Sequence, residues 1–227
     1  VITGGSRGLG LMMARGFVEN EARVYITSRK VEACQKAAAE LNSTGGTCIA
    51  IPSDLSGEEG VKAFAAQLKQ REQKLDVLIN NAAVFLDHES TILNVSMDIL
   101  KETMETNTYG ALRICQVFLP MMVEKEYGRI VNVSSQLGQH ARMHPNWSAY
   151  RLSKLALNGI TQMLAEAVRT PNVLVNCCQP GHVRTEMGGS TAPLSVEEGA
   201  DTIVWLANLP KNGPNGKFFS KRRRLDW

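Results

Sequence analysis

A tyrosine and a lysine stand four residues apart in the segment Tyr150-Arg151-Leu152-Ser153-Lys154. Four residues make about one turn of an α-helix, so a helix here places the phenol and the ammonium on one face. An unperturbed tyrosine has a pKa of about 10, and a fixed cation nearby favours the phenolate and lowers that pKa. The pair is therefore a candidate for general acid and base catalysis.

A glycine-rich turn opens the chain, in the stretch Thr3-Gly4-Gly5-Ser6-Arg7-Gly8-Leu9-Gly10. It follows an apolar strand end and leads into a helical pattern, where free backbone N–H groups and the helix dipole can hold a pyrophosphate. Glycine suits these positions because a tight turn, a close phosphate and helix packing each exclude a Cβ. An ordinary strand-to-helix turn is the alternative. Together, the phosphate cradle and the candidate acid indicate a nicotinamide-dependent oxidoreductase.

Short β-rich runs alternate with helical stretches along the whole chain. After the first strand we predict strands over Arg23 to Ser28, Thr47 to Pro52, Val77 to Asn80, Arg129 to Ser134 and Val173 to Cys178. We predict helices over Gly8 to Asn20, Val31 to Asn42, Glu58 to Gln73, Met97 to Glu124, Ala149 to Arg169 and Val196 to Asn208. This order predicts an α/β fold, a doubly wound parallel sheet in a single domain over 1–227. Val1 stands near the end of the first strand, so we expect that strand to be truncated.

Further residues follow in a fixed order: Asp54, Asn80-Asn81-Ala82-Ala83, Asn107, Ser135 and Pro180-Gly181. With the two motifs above, this set resembles the short-chain dehydrogenase/reductase family over nearly the whole chain. The first half is most similar to 3-oxoacyl reductases, including the rhamnolipid type, and the second half to NADPH-dependent carbonyl reductases. The resemblance implies a Rossmann-type fold and an NADP-dependent enzyme that reduces a ketone or aldehyde. Ala83 replaces the family's usual glycine.

The resemblance also implies the catalytic residues. Tyr150 would donate the proton, Lys154 would lower the tyrosine pKa and hold the nicotinamide ribose, and Ser135 would orient the carbonyl oxygen. Asn107 would help to hold a water in a proton relay with the lysine. Ser134 is an alternative to Ser135, because the stretch from Ser135 to Tyr150 is about two residues longer than the family's common spacing. Without the resemblance, an asparagine inside a predicted helix is expected to face solvent.

The end of the second strand, Thr27-Ser28-Arg29-Lys30, bears on the choice of cofactor. A carboxylate there would bind the ribose 2′-hydroxyl of NAD, whereas Arg29 together with Arg7 can bind the 2′-phosphate of NADP(H). The alternative is that Arg29 and Lys30 begin a solvated helix, and Asp54 has the alternative of capping one. The predicted cofactor-binding residues are Gly4, Ser6, Arg7, Gly8, Leu9, Gly10, Ser28, Arg29, Asp54, Leu55, Asn81, Ala82, Tyr150, Lys154, Pro180, Gly181, Val183 and Thr185.

A short connection from Pro180 to the next helix leaves little chain for a lid, so we predict an open pocket that accepts varied carbonyls. The predicted walls are Phe85, Leu86, Leu137, His140, Met143, Trp147, His182 and Met187. His140 and His144 are not needed as acids when Tyr150 is available. We expect no metal.

Composition limits the partners. Five cysteines without C-x-x-C spacing argue against a disulfide framework and a zinc site, and the adjacent Cys177 and Cys178 read as core residues. A net charge of +3 and the short basic run 221–224, read as a solvated tail, indicate no nucleic-acid partner. No apolar run approaches the about 20 residues of a membrane span. We expect a cytoplasmic protein with a small-molecule carbonyl or alcohol substrate, although a targeting peptide before Val1 stays open.

We also expect a homodimer or homotetramer, formed through apolar helix positions that could instead face their own sheet. These positions are Leu112, Val117, Leu155, Leu157, Ile160 and Met163. Two other functions stay open. An NAD-dependent secondary-alcohol or hydroxysteroid dehydrogenase is disfavoured by Ser28 and Arg29. A non-catalytic NADP-sensing regulatory protein would have little need for Tyr150 and Lys154.

Overall fold

An eight-stranded sheet forms the centre of the structure, a computed structural model that describes residues 1–43 and 45–227. Its strands are β1 (Ile2–Thr3), β2 (Arg23–Thr27), β3 (Thr47–Ala50), β4 (Val77–Asn80), β5 (Gly128–Val133), β6 (Val173–Cys178), β7 (Phe218–Ser220) and β8 (Arg223–Leu225). The α-helices are α1 (Gly8–Glu19), α2 (Val31–Asn42), α3 (Glu58–Lys69), α4 (Met97–Met104), α5 (Gly110–Glu124), α6 (Ser148–Ala167) and α7 (Val196–Ala207).

The strand order positions the functional end of the sheet. Across the described residues the order is β3-β2-β1-β4-β5-β6-β7-β8, and every neighbouring pair is parallel except β7 with β8. From β1 the chain adds β2 and β3 on one side and then returns to add β4 and the later strands on the other side. Ile2 of β1 therefore lies opposite both Ile26 and Ile79, and the strand order reverses between β1 and β4. In such sheets ligands bind in the crevice at the carboxyl ends of the strands beside this reversal.

Helices cover both faces of the sheet, as the doubly wound prediction requires. On one face α1, α2 and α7 bury residues such as Met13, Cys34 and Ile203 in one apolar cluster. On the other face α3 and α5 bury Phe64 and Phe118, whose rings meet edge to face with centroids 6.0 Å apart. The helices use positions three or four residues apart for these contacts, which is the spacing of one helix face.

The predicted elements are largely confirmed. The bounds of β4, β6 and α2 agree to the residue, and the other predicted strands and helices differ at their ends. The predicted helix over Met97 to Glu124 is interrupted by a π-helical turn, Glu105–Tyr109, between α4 and α5. Such a turn adds a residue to the helix, so the residues that follow it point in a different direction from those of an uninterrupted helix.

The end of the chain differs from the prediction. The run 221–224 was expected to be a solvated tail, yet Arg223 and Arg224 pair through their backbones with Ser220 and Phe219 in an antiparallel hairpin. The Arg222 guanidinium also binds the Asp201 carboxylate. Backbone pairing at a sheet edge needs no apolar side chain, so charged residues can form a strand there.

Burial separates the apolar positions that were expected to form an interface. Leu157 is 1% exposed and Ile160 is 8% exposed, so these two are buried within the chain itself, whereas Met163 is 64% exposed. Cys177 and Cys178 are fully buried, which confirms them as core residues, and burial raises the pKa of both thiols. Within 1–43 and 45–227, no helix has the length and apolarity needed to cross a bilayer.

Candidate functional site

The glycine turn between β1 and α1 forms a cradle of backbone atoms. Gly4 and Gly8 have φ angles of +64° and +51°, in the left-handed region that glycine adopts without strain. A Cβ on Gly10 would lie 2.2 Å from the carbonyl oxygen of Gly4. Helix α1 begins at Gly8, and Arg7 before it makes no side-chain cap. The first N–H groups of a helix have no partner within it, so this turn fits a pyrophosphate.

The ends of β1 and β4 are joined beside this cradle. The Thr3 hydroxyl accepts hydrogen bonds from the backbone N–H groups of Asn81 and Ala82, at 3.0 and 2.9 Å. The Asn81 side-chain amide donates to the carbonyls of Thr3 and Gly4, at 3.0 and 3.3 Å. Asn81 therefore holds the backbone at the start of the glycine turn in place. The sequence analysis did not select Thr3, although its place at the end of a buried strand was a usable signal.

Two arginines, Arg7 and Arg29, were predicted to bind a 2′-phosphate. Both side chains are exposed, and none of the three residues that directly follow β2, Ser28, Arg29 and Lys30, is acidic. The Arg7 guanidinium forms an ion pair with the Glu186 carboxylate, a residue that the sequence analysis missed. Asp54 is exposed and accepts hydrogen bonds from the Ser56 N–H and hydroxyl, at 3.0 and 2.8 Å. Asp54 thus forms a local turn, and the cap position of α3 belongs to Gly57.

The segment after β6 lies over the glycine turn. Gly181 has a φ of +89°, and Val183 is 5% exposed and bridges to Leu194. A Cβ on Gly8 would lie 3.3 Å from the Thr185 methyl group, so Thr185 packs directly on the turn. The structure therefore brings the predicted residues of this segment together with the cradle.

Two neighbouring serines follow β5, and they have different surroundings. Ser134 is 2% exposed, and its hydroxyl donates to the Asn158 side chain at 2.6 Å, which ties β5 to α6. Ser135 is only partly buried, and its hydroxyl oxygen accepts from the Leu137 N–H at 3.1 Å. The Leu137 N–H uses only the oxygen of this hydroxyl, and a side-chain hydrogen bond between Ser135 and Tyr150 lowers the pKa of that phenol. This geometry favours Ser135 over Ser134 as the functional serine.

Tyr150 and Lys154 lie on α6, one turn apart, and both are buried. Burial raises the pKa of Tyr150 to about 12, against the smaller opposing effect of Ser135. The Lys154 ammonium donates to the Val133 carbonyl at 2.8 Å and lies 5.6 Å from the centre of the Tyr150 ring. Burial also lowers the pKa of Lys154 to about 8. The expected lowering of the tyrosine pKa is therefore not seen here: burial dominates, and the phenol is protonated at neutral pH.

Asn107 lies in the π-helical turn and is 1% exposed, so it does not face solvent. Its side-chain oxygen accepts from the Val84 N–H at 2.8 Å, and its amide donates to the Val84 carbonyl at 2.9 Å. The amide also donates to the Ser153 hydroxyl at 3.0 Å. Asn107 consequently joins the segment after β4 to the helix that carries Tyr150.

Aromatic rings surround the tyrosine. The Phe85 ring packs on Tyr150 with centroids 4.7 Å apart and meets the Trp147 ring edge to face at 5.9 Å. Of the other predicted wall residues, Leu137 is half-buried, whereas the remaining ones are exposed: Leu86, His140, Met143, His182 and Met187. The His182 ring nitrogen lies 2.7 Å from the Gly188 carbonyl oxygen. The described residues contain no cluster of three or more His, Cys, Asp or Glu side chains that could hold a metal ion.

Comparison with known proteins agrees with this geometry. Residues 1–194 match the family profile described as short chain dehydrogenase. The chain is 30% identical to (+)-neomenthol dehydrogenase of Arabidopsis thaliana over 285 aligned residues, covering 98% of this chain and 96% of that protein. It is 29% identical to carbonyl reductase [NADPH] 1 of Homo sapiens over 274 residues, covering 100% and 97%. These alignments are longer than the 227-residue chain, so both relatives contain inserted residues.

A solved structure shows the same architecture. Carbonyl reductase Sniffer of D. melanogaster superposes with a TM-score of 0.88 at 28% identity, over 100% of this chain and 98% of that one. The family profile matches most of the chain, over residues 1–194. The same chain has the glycine cradle, the Tyr150 and Lys154 pair and the strand order described above. This protein belongs to the short-chain dehydrogenase family.

Proposed function

We propose that this protein is an NADPH-dependent carbonyl reductase, which transfers hydride to a ketone or aldehyde. The observation that carries the proposal is the buried Tyr150 phenol, which lies beside the Ser135 hydroxyl and one helical turn from Lys154. A protonated phenol can donate its proton to the oxygen of a carbonyl as that oxygen gains negative charge.

The residues present fit NADPH. The cradle of Gly4, Gly8 and Gly10 suits its pyrophosphate, and Arg7 and Arg29 suit its 2′-phosphate. The absence of a carboxylate after β2 disfavours NAD. A related protein is named for NADPH, which supports the same choice. When bound, NADPH supplies the hydride.

The protein side of the reaction follows from the hydrogen bonds. The Ser135 hydroxyl, which interacts with the Tyr150 phenol here, would donate to the carbonyl oxygen when substrate binds, and Tyr150 would give its proton to that oxygen. Lys154 places a positive charge behind the phenol, held by the Val133 carbonyl, and this charge stabilises the phenolate that remains. Asn107 binds the Val84 backbone and the Ser153 hydroxyl, and it thereby holds the neighbouring Phe85 at the wall of the proposed substrate pocket. Phe85 and Trp147 make that wall aromatic, which suits a carbonyl with an apolar substituent.

A secondary-alcohol dehydrogenase is the second candidate, since one relative is named (+)-neomenthol dehydrogenase. A 3-oxoacyl thioester and a small apolar ketone are both compatible with an open pocket.

We also propose a homo-oligomer, because three apolar helix residues keep accessible surface: Leu112, Leu155 and Met163. The cytoplasmic location stays a prediction.

The test combines turnover with binding. NADPH and NADH oxidation are followed at about 340 nm with an acetoacetyl thioester, an aromatic ketone, a quinone, an aliphatic aldehyde and a steroid ketone. Tyr150→Phe should remove turnover and leave NADPH affinity unchanged, and the half-exposed Tyr127→Phe serves as its matched control. NADPH binding without turnover of any carbonyl, or of the alcohols with NADP⁺, would contradict the proposal and support a cofactor-sensing role.

A further inference from the structure

Asp87 is a buried carboxylate that the mechanism above does not use. It is 1% exposed, and one of its oxygens accepts a hydrogen bond from the Ala149 N–H at 2.7 Å. Ala149 directly precedes Tyr150 in the first turn of α6. A charge-assisted bond of this kind is stronger than a bond between neutral groups, and the first turn of a helix favours a negative charge.

Helix α6 lacks a cap of its own. Its N-cap residue, Trp147, has a left-handed backbone with φ 57° and ψ 39°, and its side chain makes no cap hydrogen bond. A carboxylate from another part of the chain therefore occupies the place that a local Ser, Thr or Asp usually takes. The second oxygen of Asp87 and the hydroxyl of the neighbouring Ser148 are both buried and both lack a partner.

The segment that carries Asp87 is fixed at both ends to the site. At one end the Asn107 side chain accepts a hydrogen bond from the Val84 N–H and donates one to the Val84 carbonyl. At the other end Trp147 donates its backbone N–H to the Ser90 carbonyl and its ring N–H to the His88 carbonyl, at 3.1 and 3.2 Å. The segment 84–90 is thus attached to the π-helical turn and to the start of α6.

We propose that Asp87 is a positioning residue: it caps α6 from the segment 84–90 and so sets the depth at which Tyr150 faces the substrate. Phe85, on the same segment, packs on the Tyr150 ring, so ring and backbone are held by one piece of chain. The inference rests on the proposed function, because it assigns Asp87 a role in proton transfer by Tyr150. An error of about 1 Å in the position of a reacting group can reduce a rate by about 100-fold.

Three variants separate geometry from charge. Asp87→Asn keeps an acceptor for the Ala149 N–H, so kcat should stay within about threefold of the wild type. Asp87→Ala removes the cap, and Asp87→Glu keeps the charge but adds a methylene, so both should lower kcat by about 10- to 100-fold. The affinity for NADPH should not change. Asp98→Ala, an exposed acid in the first turn of α4, is the matched control and should leave kcat unchanged.

Two readouts distinguish positioning from stability. The solvent deuterium isotope effect on kcat should rise in Asp87→Ala, because proton transfer becomes slower. Amide hydrogen exchange of 149–152 should also become faster in that variant and in Asp87→Glu, and this measurement needs no turnover. If the wild type shows no turnover, the proposed function fails, while exchange still tests the cap.

Exchange that is unchanged in both variants overturns the proposal, whatever the activity. A loss of kcat in Asp87→Asn equal to that in Asp87→Ala also overturns it, since the charge would then be the cause. Should Asp87→Ala fail to fold, the proposal is overturned by unchanged exchange in Asp87→Glu, or by a loss of kcat in Asp87→Asn equal to that in Asp87→Glu.

Discussion

Lys154 should make the folded state less stable because its ammonium is buried. It is 2% exposed, and its pKa falls from 10.5 to about 8. One pKa unit corresponds to about 1.4 kcal/mol, so burial of the charge costs about 3 kcal/mol at about pH 7. Replacement of Lys154 by Met, which is apolar and of similar length, removes this cost. It also leaves the Val133 carbonyl without its donor, which costs about 1–3 kcal/mol at any pH.

The pH dependence isolates the charge. Between pH 8 and 10.5 the unfolded chain keeps a proton that the folded chain has lost, so the wild type becomes more stable relative to the variant as pH rises. At about pH 9.5 the cost of burying the charge has fallen to the equivalent of about one pKa unit, or about 1.4 kcal/mol. The free energy of unfolding of Lys154→Met minus that of the wild type should therefore fall by about 2 kcal/mol between about pH 7 and about pH 9.5.

Urea unfolding followed by circular dichroism at both pH values measures this change. Lys69→Met, an exposed lysine in the last turn of α3, is the control and should give a difference that does not vary with pH. A difference for Lys154→Met that is equally independent of pH would refute the reasoning, because the ammonium would then not be desolvated. Turnover should be lost in this variant at both pH values.

Two further predictions concern the cofactor cradle. Gly10→Ala places a Cβ 2.2 Å from the Gly4 carbonyl oxygen, so calorimetry should show NADPH affinity reduced by at least about tenfold; wild-type affinity would contradict the assigned cradle. Gly16→Ala, on the same helix with no atom within 4 Å, is the control and should raise stability by about 0.5–1 kcal/mol. Glu186→Gln frees Arg7, so NADPH affinity should rise about two- to fivefold while NADH affinity stays unchanged; an equal rise for both would exclude the 2′-phosphate as the cause.

The sequence predicted those elements whose signals are local. The apolar runs at β4 and β6 were sufficient because a buried parallel strand is apolar on both faces. The π-helical turn was missed because the whole stretch Met97 to Glu124 was assigned to one regular helix, and no residue type in Glu105–Tyr109 marks the irregularity. The hairpin of β7 and β8 was missed because Arg223 and Arg224 contribute backbone pairing and no apolar side chain.

The residues missed in the site share one property, which is that their partners are distant in the chain. Thr3 binds Asn81 and Ala82, and Asp87 binds Ala149. Thr3 stands in the glycine-rich stretch and Asp87 in no motif, but in both cases the fold, and not the helix or strand period, brings the residue to its partner. The motifs therefore indicated the groups that we propose to act on a substrate, but they gave no information on the groups that hold them in place.

The tyrosine pKa shows how burial bears on the direction of the reaction. The four-residue spacing of Tyr150 and Lys154 correctly placed the two groups on one helix face, but spacing carries no information on desolvation. With a pKa of about 12, Tyr150 is protonated at neutral pH and ready to donate, whereas alcohol oxidation needs it to accept a proton. Reduction should therefore be the faster direction near neutrality, and oxidation should increase with pH. Equal oxidation rates from about pH 7 to about pH 10 would contradict this reasoning.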